Sequence, residues 1–228
     1  MTVGGVLSEA WELYRRFFVR FVTVAAVVFV VLALASALAE SARGHGTGTA
    51  LLWALVSLAI TLVGSFWVQA ALVLAVQDVR DGRIDTTVEE LYGRTRPYLP
   101  SLIGAGLLAG LGIAFGLVLF IVPGLFLLTR WSLITPVIAL EHKKAGESFG
   151  RSNELVKGQS WTVLGVIVSS VILAAIAQII LGVAFSPLPR FVGSWIGALI
   201  ADSLTVPFLA LAWTCMYFRL ARGDVGLT

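Results

Sequence analysis

Residues 101–140 read SLIGAGLLAGLGIAFGLVLFIVPGLFLLTRWSLITPVIAL, and Arg130 is the only charged side chain in this 40-residue stretch. An α-helix rises about 1.5 Å per residue, so one helix of this length would be about 60 Å long, twice the thickness of a bilayer's hydrocarbon core. The stretch must therefore fold back on itself. Pro123 and Gly124 indicate the turn, because proline lacks an amide donor and glycine tolerates tight-turn backbone angles.

The two halves of this stretch and four further apolar runs predict six membrane-spanning helices. Each run is long enough to cross about 30 Å of hydrocarbon. The chain is 58% hydrophobic and 13% charged, whereas an average soluble domain is about 25% charged. We therefore predict an all-α, polytopic membrane protein. The predicted spans are residues 21–39, 50–77, 101–121, 125–140, 161–185 and 192–218.

The composition and motifs exclude several classes of function. The net charge of +3 follows from basic residues beside the spans rather than from affinity for nucleic acid. Cys215 cannot form an internal disulfide, and His45 and His142 are too few and too far apart to suggest a metal site. The sequence contains no Gly-x-Ser-x-Gly elbow, Walker loop or His-Glu-x-x-His motif. We therefore expect no enzymatic activity and no cofactor.

The distribution of Lys and Arg predicts the orientation. Thirteen of the 16 basic residues lie at the termini or in alternate loops, and the predicted outer loops hold only Arg43 and Arg190. Because basic loops resist translocation, both termini are predicted to face the cytoplasm, in the cell membrane. A cleaved signal peptide is the alternative for the first run, since Ala35-Ser36-Ala37 resembles a cleavage site. Glu9 and Glu12 before the run argue against it.

A short motif precedes each odd-numbered span. Glu12-Leu13-Tyr14, Glu90-Leu91-Tyr92 and Glu154-Leu155-Val156 are each followed by a basic residue and then an aromatic one. This spacing predicts that a single transmembrane domain, residues 1–228, repeats one helical hairpin three times. The hairpin units cover approximately residues 1–80, 81–145 and 146–228.

Each unit is predicted to begin with a short cytoplasmic amphipathic helix. Apolar side chains in residues 6–21 recur every three or four positions, with charged side chains on the other face. Thr86-Thr87-Val88-Glu89 supplies a capping-box start for the second helix, and Phe149 and Leu155 belong to the apolar stripe of the third. Such helices lie in the headgroup plane, as linkers or as surfaces for lipids or a protein partner.

Several short motifs occur in an order that resembles a known family, the membrane domain of glycerophosphoryl diester phosphodiesterases and its stand-alone integral membrane relatives. The similarity covers nearly the whole chain and is densest over residues 121–161. Asn153 departs from it, because relatives often carry tryptophan after the Arg-Ser pair. The matching positions include Pro123, Gly124, Trp131, Pro136, Glu141, Arg151, Ser152, Leu155, Gly158, Trp161, Tyr217 and Arg219.

The resemblance implies a membrane architecture. In that family the phosphodiesterase chemistry belongs to a separate soluble catalytic domain, and no stretch between or beside the predicted spans is long enough for one. The resemblance therefore does not imply hydrolase activity here.

Arg130 and Asp202 are the charged residues inside the predicted spans. Inserting a charged side chain at the centre of a membrane-spanning helix costs about 2.5–3.5 kcal/mol. Counted from the outer ends, they lie at depths of roughly 8 and 15 Å, within reach of a long arginine side chain. We predict an interhelical contact between them in the outer half of the bundle. It either fixes which helices meet or forms a transport or ligand site.

Other polar residues in the spans have two interpretations. Gln69, Gln178 and Thr135 either hydrogen-bond between helices or line a polar path. Pro136 and Pro207 interrupt the fourth and sixth helices, which kinks them or frees carbonyl groups for an ion.

The third span is rich in glycine. Gly106 and Gly110, and likewise Gly112 and Gly116, lie one turn apart and predict packing seams, with homo-oligomerisation as the alternative. The predicted function is a non-enzymatic scaffold or lipid-interacting accessory protein, whose partners are membrane lipids and a protein on the cytoplasmic face. The alternative is a small-solute or ion transporter or channel that uses Arg130 and Asp202.

Overall fold

The computed structural model describes residues 1–42, 47–186 and 190–225, and within these ranges the chain forms helices and no strands. Six helical segments are long and apolar enough to cross a membrane, as predicted. Arg43 and His45, in the first predicted outer loop, lie outside the described residues.

The described helices are numbered in chain order. Three short helices, α1, α4 and α8, each precede a pair of spans, and the fourth span consists of α6 and α7 in succession. The bounds are α1 Val3–Arg16, α2 Phe18–Ala42, α3 Thr47–Arg80, α4 Val88–Thr95, α5 Leu99–Leu119, α6 Ile121–Trp131, α7 Ile134–Glu141, α8 Ala145–Val156, α9 Ser160–Phe185 and α10 Arg190–Val225.

Consecutive spans pack as hairpins. The pairs α2 with α3, α5 with α6, and α9 with α10 form the most extensive contacts. The main apolar core joins α2, α3 and α10 to all three short helices, with Phe21, Leu72, Leu91 and Met216 fully buried. The fold is therefore three hairpins, each with a short helix before it.

The predicted end of the first amphipathic helix needs correction. The helix stops at Arg16, and Phe17 leaves the helical conformation (φ −117°, ψ 29°) before α2 begins. Phe21 was predicted both as the last residue of the short helix and as the first residue of the first span, and it is buried inside that span.

The turn between the third and fourth spans is not at Pro123 and Gly124, as predicted, but at Phe120, which is extended (φ −156°, ψ 141°). Pro123 lies in the first turn of α6. Backbone amides in the first turn have no acceptor within the helix, so a proline there removes no helical hydrogen bond. Gly124 serves close packing instead: a Cβ on it would lie 2.4 Å from Leu117 Cγ and 2.6 Å from the Leu117 amide nitrogen. Glycine at this position lets α5 and α6 approach.

The glycines of α5 that were predicted as packing seams differ in their surroundings. A Cβ on Gly106 would lie 2.1 Å from the Phe66 ring of α3, and one on Gly112 would lie 2.6 Å from the Trp131 ring. Gly110 faces open space. Close approach to neighbouring spans therefore accounts for Gly106 and Gly112, and homo-oligomerisation through this helix stays a prediction.

We predict that Gly124→Ala lowers the free energy of unfolding by about 1–3 kcal/mol, because the added methyl group overlaps Leu117 side-chain and backbone atoms. Gly110→Ala is the matched control, since its Cβ meets nothing within 4 Å and alanine favours the helix. Unfolding of both variants in detergent micelles, titrated with a denaturing detergent, measures the difference. Equal stability of the two variants would contradict the close approach at Gly124.

Candidate functional site

Three carboxylates at one end of the bundle anchor the three short helices. Glu9 lies on α1, Asp78 near the end of α3, and Glu141 at the end of α7. Each binds at least one arginine, and each of the resulting clusters joins a short helix to the spans. We call α1, α4 and α8, together with these clusters, the collar.

The first cluster attaches α1 to α3 and α10. Arg80 Nη1 donates to Glu9 Oε1 at 2.8 Å, and Arg219 Nε donates to Glu9 Oε2 at 2.8 Å. A second Arg219 nitrogen donates to the Gly5 carbonyl at 2.9 Å, and the Arg80 guanidinium lies 4.5 Å from the centre of the Phe218 ring. Both carboxylate oxygens of Glu9 are thus occupied by arginines from two different spans.

The second cluster surrounds Asp78, whose side chain is completely buried. Arg94 of α4 donates to both Asp78 oxygens, at 3.0 and 2.9 Å, and an Arg20 nitrogen of α2 lies 3.9 Å away. Arg20 also donates to the Ile84 carbonyl. Since α2, α3 and α4 meet at one carboxylate, Asp78 fixes the start of the first span against the second short helix.

The start of α4 differs from the prediction by one residue. The capping box pairs Thr87 with Glu90, rather than Thr86 with Glu89. The Glu90 carboxylate accepts from the Thr87 amide at 2.8 Å, and the Thr87 hydroxyl accepts from the Glu90 amide at 3.2 Å. This reciprocal pair satisfies two amides that the first helical turn leaves without partners.

The third cluster joins α7, α8 and α10. Arg151 Nε donates to both oxygens of Glu141, at 3.2 and 3.1 Å, and the Tyr217 hydroxyl donates to Glu141 Oε1 at 2.9 Å. The chain then turns at His142, which adopts a left-handed conformation (φ 57°) and stacks on Tyr98 with ring centres 4.6 Å apart. Glu141, Arg151 and Tyr217 belong to the motifs that carry the family resemblance. The structure brings these three side chains into contact.

The apolar faces of the short helices pack on the spans. Val6 and Ala10 of α1, Leu91 of α4 and Val156 of α8 are fully buried. The Tyr14 hydroxyl of α1 donates to the Leu204 carbonyl of α10 at 2.9 Å, and burial raises the pKa of Tyr14 to about 12. Tyr14 therefore stays protonated, as a donor, at physiological pH.

The repeated Glu-Leu-Tyr motif is only partly reflected in the contacts. In the first two copies the tyrosine donates to the backbone of another span, Tyr14 to Leu204 and Tyr92 to the Val24 carbonyl at 2.6 Å. The third copy has Val156, which is buried without a hydroxyl. The acids of the motif are not the anchoring carboxylates.

The predicted contact between Arg130 and Asp202 is wrong, because each of the two side chains contacts a different residue. Arg130 donates to Asn153 Oδ1 of α8 and lies 4.8 Å from the centre of the Phe126 ring. Asp202 accepts from Gln178 Nε2 of α9 at 3.3 Å. No ion pair joins Arg130 to Asp202 among the described residues.

The reason is a break in the fourth span at Ser132 and Leu133, not at Pro136, which lies in the first turn of α7. Ser152 of α8 fills the break: its hydroxyl donates to the Arg130 carbonyl at 2.7 Å and accepts from the Leu133 amide at 3.2 Å. This contact places Arg130 beside α8. Arg130 therefore faces α8, whereas Asp202 faces α9, and a similar depth in the bundle does not bring the two side chains together.

The remaining motif positions have structural settings. The Trp131 ring packs edge-on against Phe149 of α8, with centres 5.1 Å apart, and Leu155 is buried. Gly158 has φ +84°, a conformation that favours glycine, at the link between α8 and α9. Trp161 follows at the start of α9 and is 86% exposed.

A small cavity of about 170 Å³ lies between α3, α7 and α10. Besides Thr214, whose hydroxyl donates to the Ala210 carbonyl at 2.6 Å, two other polar residues of the spans line it. They are Gln69 and Thr135, and neither side chain has a hydrogen-bond partner in the part of the chain that the structure describes. Gln178, in contrast, donates to Thr205 Oγ1 at 3.2 Å as well as to Asp202. The predicted interhelical hydrogen bonding therefore holds for Gln178 alone of these three.

A sequence model of one family, described as Domain of unknown function (DUF7847), matches residues 100–220, more than half of the chain. The chain belongs to this DUF7847 family. No curated protein and no solved structure matches the chain. The DUF7847 match contains the Glu141 cluster, Arg130 and Asp202, but neither Glu9 nor Asp78.

Sequence reasoning missed Glu9 and Asp78 as anchors. Asp78 carried one usable signal, since it is the first residue after the predicted span 50–77 and precedes Arg80 by two positions. Nothing local identifies its partner Arg94, and Arg219 lies 210 residues from Glu9. Only the tertiary arrangement of the DUF7847 protein brings these groups together.

We predict that Asp78→Asn lowers the free energy of unfolding by about 3 kcal/mol. The substitution removes the negative charge that Arg94 and Arg20 face, and leaves both arginines beside a neutral amide. The control is Asp81→Asn, three residues on, where an exposed pair with Arg83 contributes little. Denaturant unfolding in micelles compares the two. A loss for Asp81→Asn as large as that for Asp78→Asn would refute the anchoring role.

Proposed function

We propose that this DUF7847 protein is a non-enzymatic, multi-pass protein of the cell membrane that acts as a lipid-interacting scaffold, with both termini and the collar on the cytoplasmic side. The observation that carries the proposal is the collar itself. Three short helices are held against the spans by ion pairs and buried side chains, and their outer surfaces remain free.

The orientation is supported by charge and by the position of the chain ends. Thirteen of 16 basic residues lie in the termini and the loops that carry the collar. Gly5 and Glu9 both contact Arg219, so the two ends of the chain lie at the same end of the bundle. Basic segments are retained in the cytoplasm, which supports the same side for both ends.

The scaffold role is supported by the unpaired charges on the collar. Glu12 and Arg15 of α1, Glu89 of α4, and Arg96 just beyond α4 are exposed and form no ion pair or hydrogen bond within the described ranges. A protein partner or lipid headgroups can therefore bind these side chains without disturbing the clusters beneath. Their mixed sign favours specific contacts over general attraction to an anionic surface.

The resemblance to the membrane domain of glycerophosphoryl diester phosphodiesterases fits this proposal. Its motif residues Glu141, Arg151 and Tyr217 form one of the three clusters. We propose that the likeness reflects a common way of attaching a short helix to a span, and not shared hydrolase chemistry.

A second candidate, transport of a small polar solute or ion, is favoured by the cavity between α3, α7 and α10. Unpartnered polar groups in a bilayer are costly, so Gln69 and Thr135 favour an occupant that forms hydrogen bonds. The volume of about 170 Å³ holds about five water molecules. Neither Arg130 nor Asp202 lines it, so their proposed part in transport loses support.

Reconstituted vesicles test the choice between the two functions. We predict no flux of ions or small neutral solutes above that of empty vesicles, because the cavity is small and only a few polar side chains line it. Flux that Gln69→Leu abolishes would establish transport and overturn the scaffold proposal. Thr23→Ala is the control, because the exposed Thr23 hydroxyl donates to the Val19 carbonyl of its own helix and Thr23 does not line the cavity.

A further inference from the structure

Arg130 is a cation without a carboxylate partner in the part of the chain that the structure describes. Its Nη1 donates to the side-chain carbonyl oxygen of Asn153. Its Nε is buried and has no hydrogen-bond acceptor, and its Nη2 has no acceptor among the described residues. A charged side chain in a span is costly unless it is paired. Two guanidinium nitrogens without acceptors therefore favour an anion that is not part of the chain.

The Arg130 guanidinium lies at the collar end of the bundle, although the backbone of Arg130 belongs to the fourth span. Asn153, which it contacts, is exposed on α8, and the exposed side chains of Glu154 and Lys157 follow on the same short helix or at its end. A helix surface that carries such charges lies among headgroups rather than in hydrocarbon. The long arginine side chain bridges the difference in depth between its backbone and that surface.

A second cation lies beside Asn153. The Lys157 amide donates to the Asn153 carbonyl at 3.2 Å, so the two residues lie one turn apart on the same side of α8. The Lys157 side chain is exposed and forms no ion pair or hydrogen bond with any described residue. Glu154 is directed toward Arg151, whose Nη1 lies 3.6 Å from Glu154 Oε2. Arg130 and Lys157 therefore supply two positive charges that no described carboxylate neutralises.

Exposed aromatic rings flank the two cations. The Phe126 ring of α6 is 54% exposed, and its centre lies 4.8 Å from the Arg130 guanidinium. Trp161, in the first turn of α9, is more exposed still, and α6 packs against both α8 and α9. Tryptophan at the end of a span is typical of the headgroup level. The anion that suits these surroundings is therefore one that is attached to hydrocarbon.

From these contacts we infer that Arg130, Asn153 and Lys157 bind the phosphate of an anionic phospholipid in the leaflet next to the collar, with its acyl chains against α6 and α9. The Asn153 amide group adds a donor, because its oxygen already accepts from Arg130. Two cations favour an anionic over a zwitterionic headgroup, since the latter carries its own positive charge. The inference rests on the proposed lipid-interacting function and names the lipid class.

The test measures binding of phosphatidylglycerol to the full chain in detergent micelles by native mass spectrometry, with phosphatidylcholine as the second probe. We expect tighter binding of phosphatidylglycerol, with its apparent Kd raised about tenfold in Arg130→Gln. Arg83→Gln is the matched control, because it removes the same charge from an exposed arginine that pairs with Asp81. Equal affinity for the two lipids, or an equal loss in both variants, overturns the inference.

Lys157→Gln separates lipid binding from folding, because the exposed Lys157 side chain has no described partner to lose. We expect the apparent Kd for phosphatidylglycerol to rise about fivefold. The free energy of unfolding in micelles should stay at that of the unaltered chain. An unchanged Kd in this variant overturns the two-cation site.

Inorganic phosphate distinguishes a lipid from a soluble anion. Millimolar inorganic phosphate should leave phosphatidylglycerol bound, and displacement at that concentration would overturn the assignment to a lipid. Solute flux into reconstituted vesicles is a separate measurement. Loss of lipid selectivity without flux overturns this inference alone, whereas flux that Gln69→Leu abolishes overturns the scaffold proposal.

Discussion

The carboxylates of Glu9, Asp78 and Glu141 fix the positions of the short helices in a bundle whose spans carry almost no other charge. Lipid tails are as apolar as leucine, so apolar contact alone gives little preference for one helix arrangement over another. An arginine paired with a carboxylate specifies both partners and their geometry. Asp78 is the strongest case, because its side chain is fully buried and binds Arg94 through both oxygens.

Other features follow from this attachment. Because α8 is held by Arg151 and Glu141, its Ser152 occupies the break in the fourth span and Asn153 takes the Arg130 side chain. Because α1 is held by Glu9, its aromatic residues Trp11 and Tyr14 pack against Phe208 of α10. The scaffold function that we propose therefore depends on the collar.

Span number and helix type could be predicted from local properties. Residues 101–140 are too long for one crossing, and the periodicity of residues 6–21 indicates an amphipathic helix. The turn was misplaced because Pro123 is equally acceptable in the first turn of a helix. The predicted contact between Arg130 and Asp202 was wrong because depth along a span does not determine which neighbouring helix a side chain faces: Arg130 contacts α8 and Asp202 contacts α9. Glu9 could not be identified, since its partners lie 71 and 210 residues away.

The most direct measurement of the central claim labels single cysteines with a membrane-impermeant thiol reagent, in a Cys215→Ser background, in right-side-out and inverted vesicles. Exposed positions on the collar helices are Glu12, Glu89 and Glu154, and Thr49 lies at the opposite end of α3. If the collar is cytoplasmic, cysteines that replace Glu12, Glu89 or Glu154 react only in inverted vesicles. A cysteine that replaces Thr49 reacts only in right-side-out vesicles. A collar position that reacts from the same side as Thr49 would contradict the account.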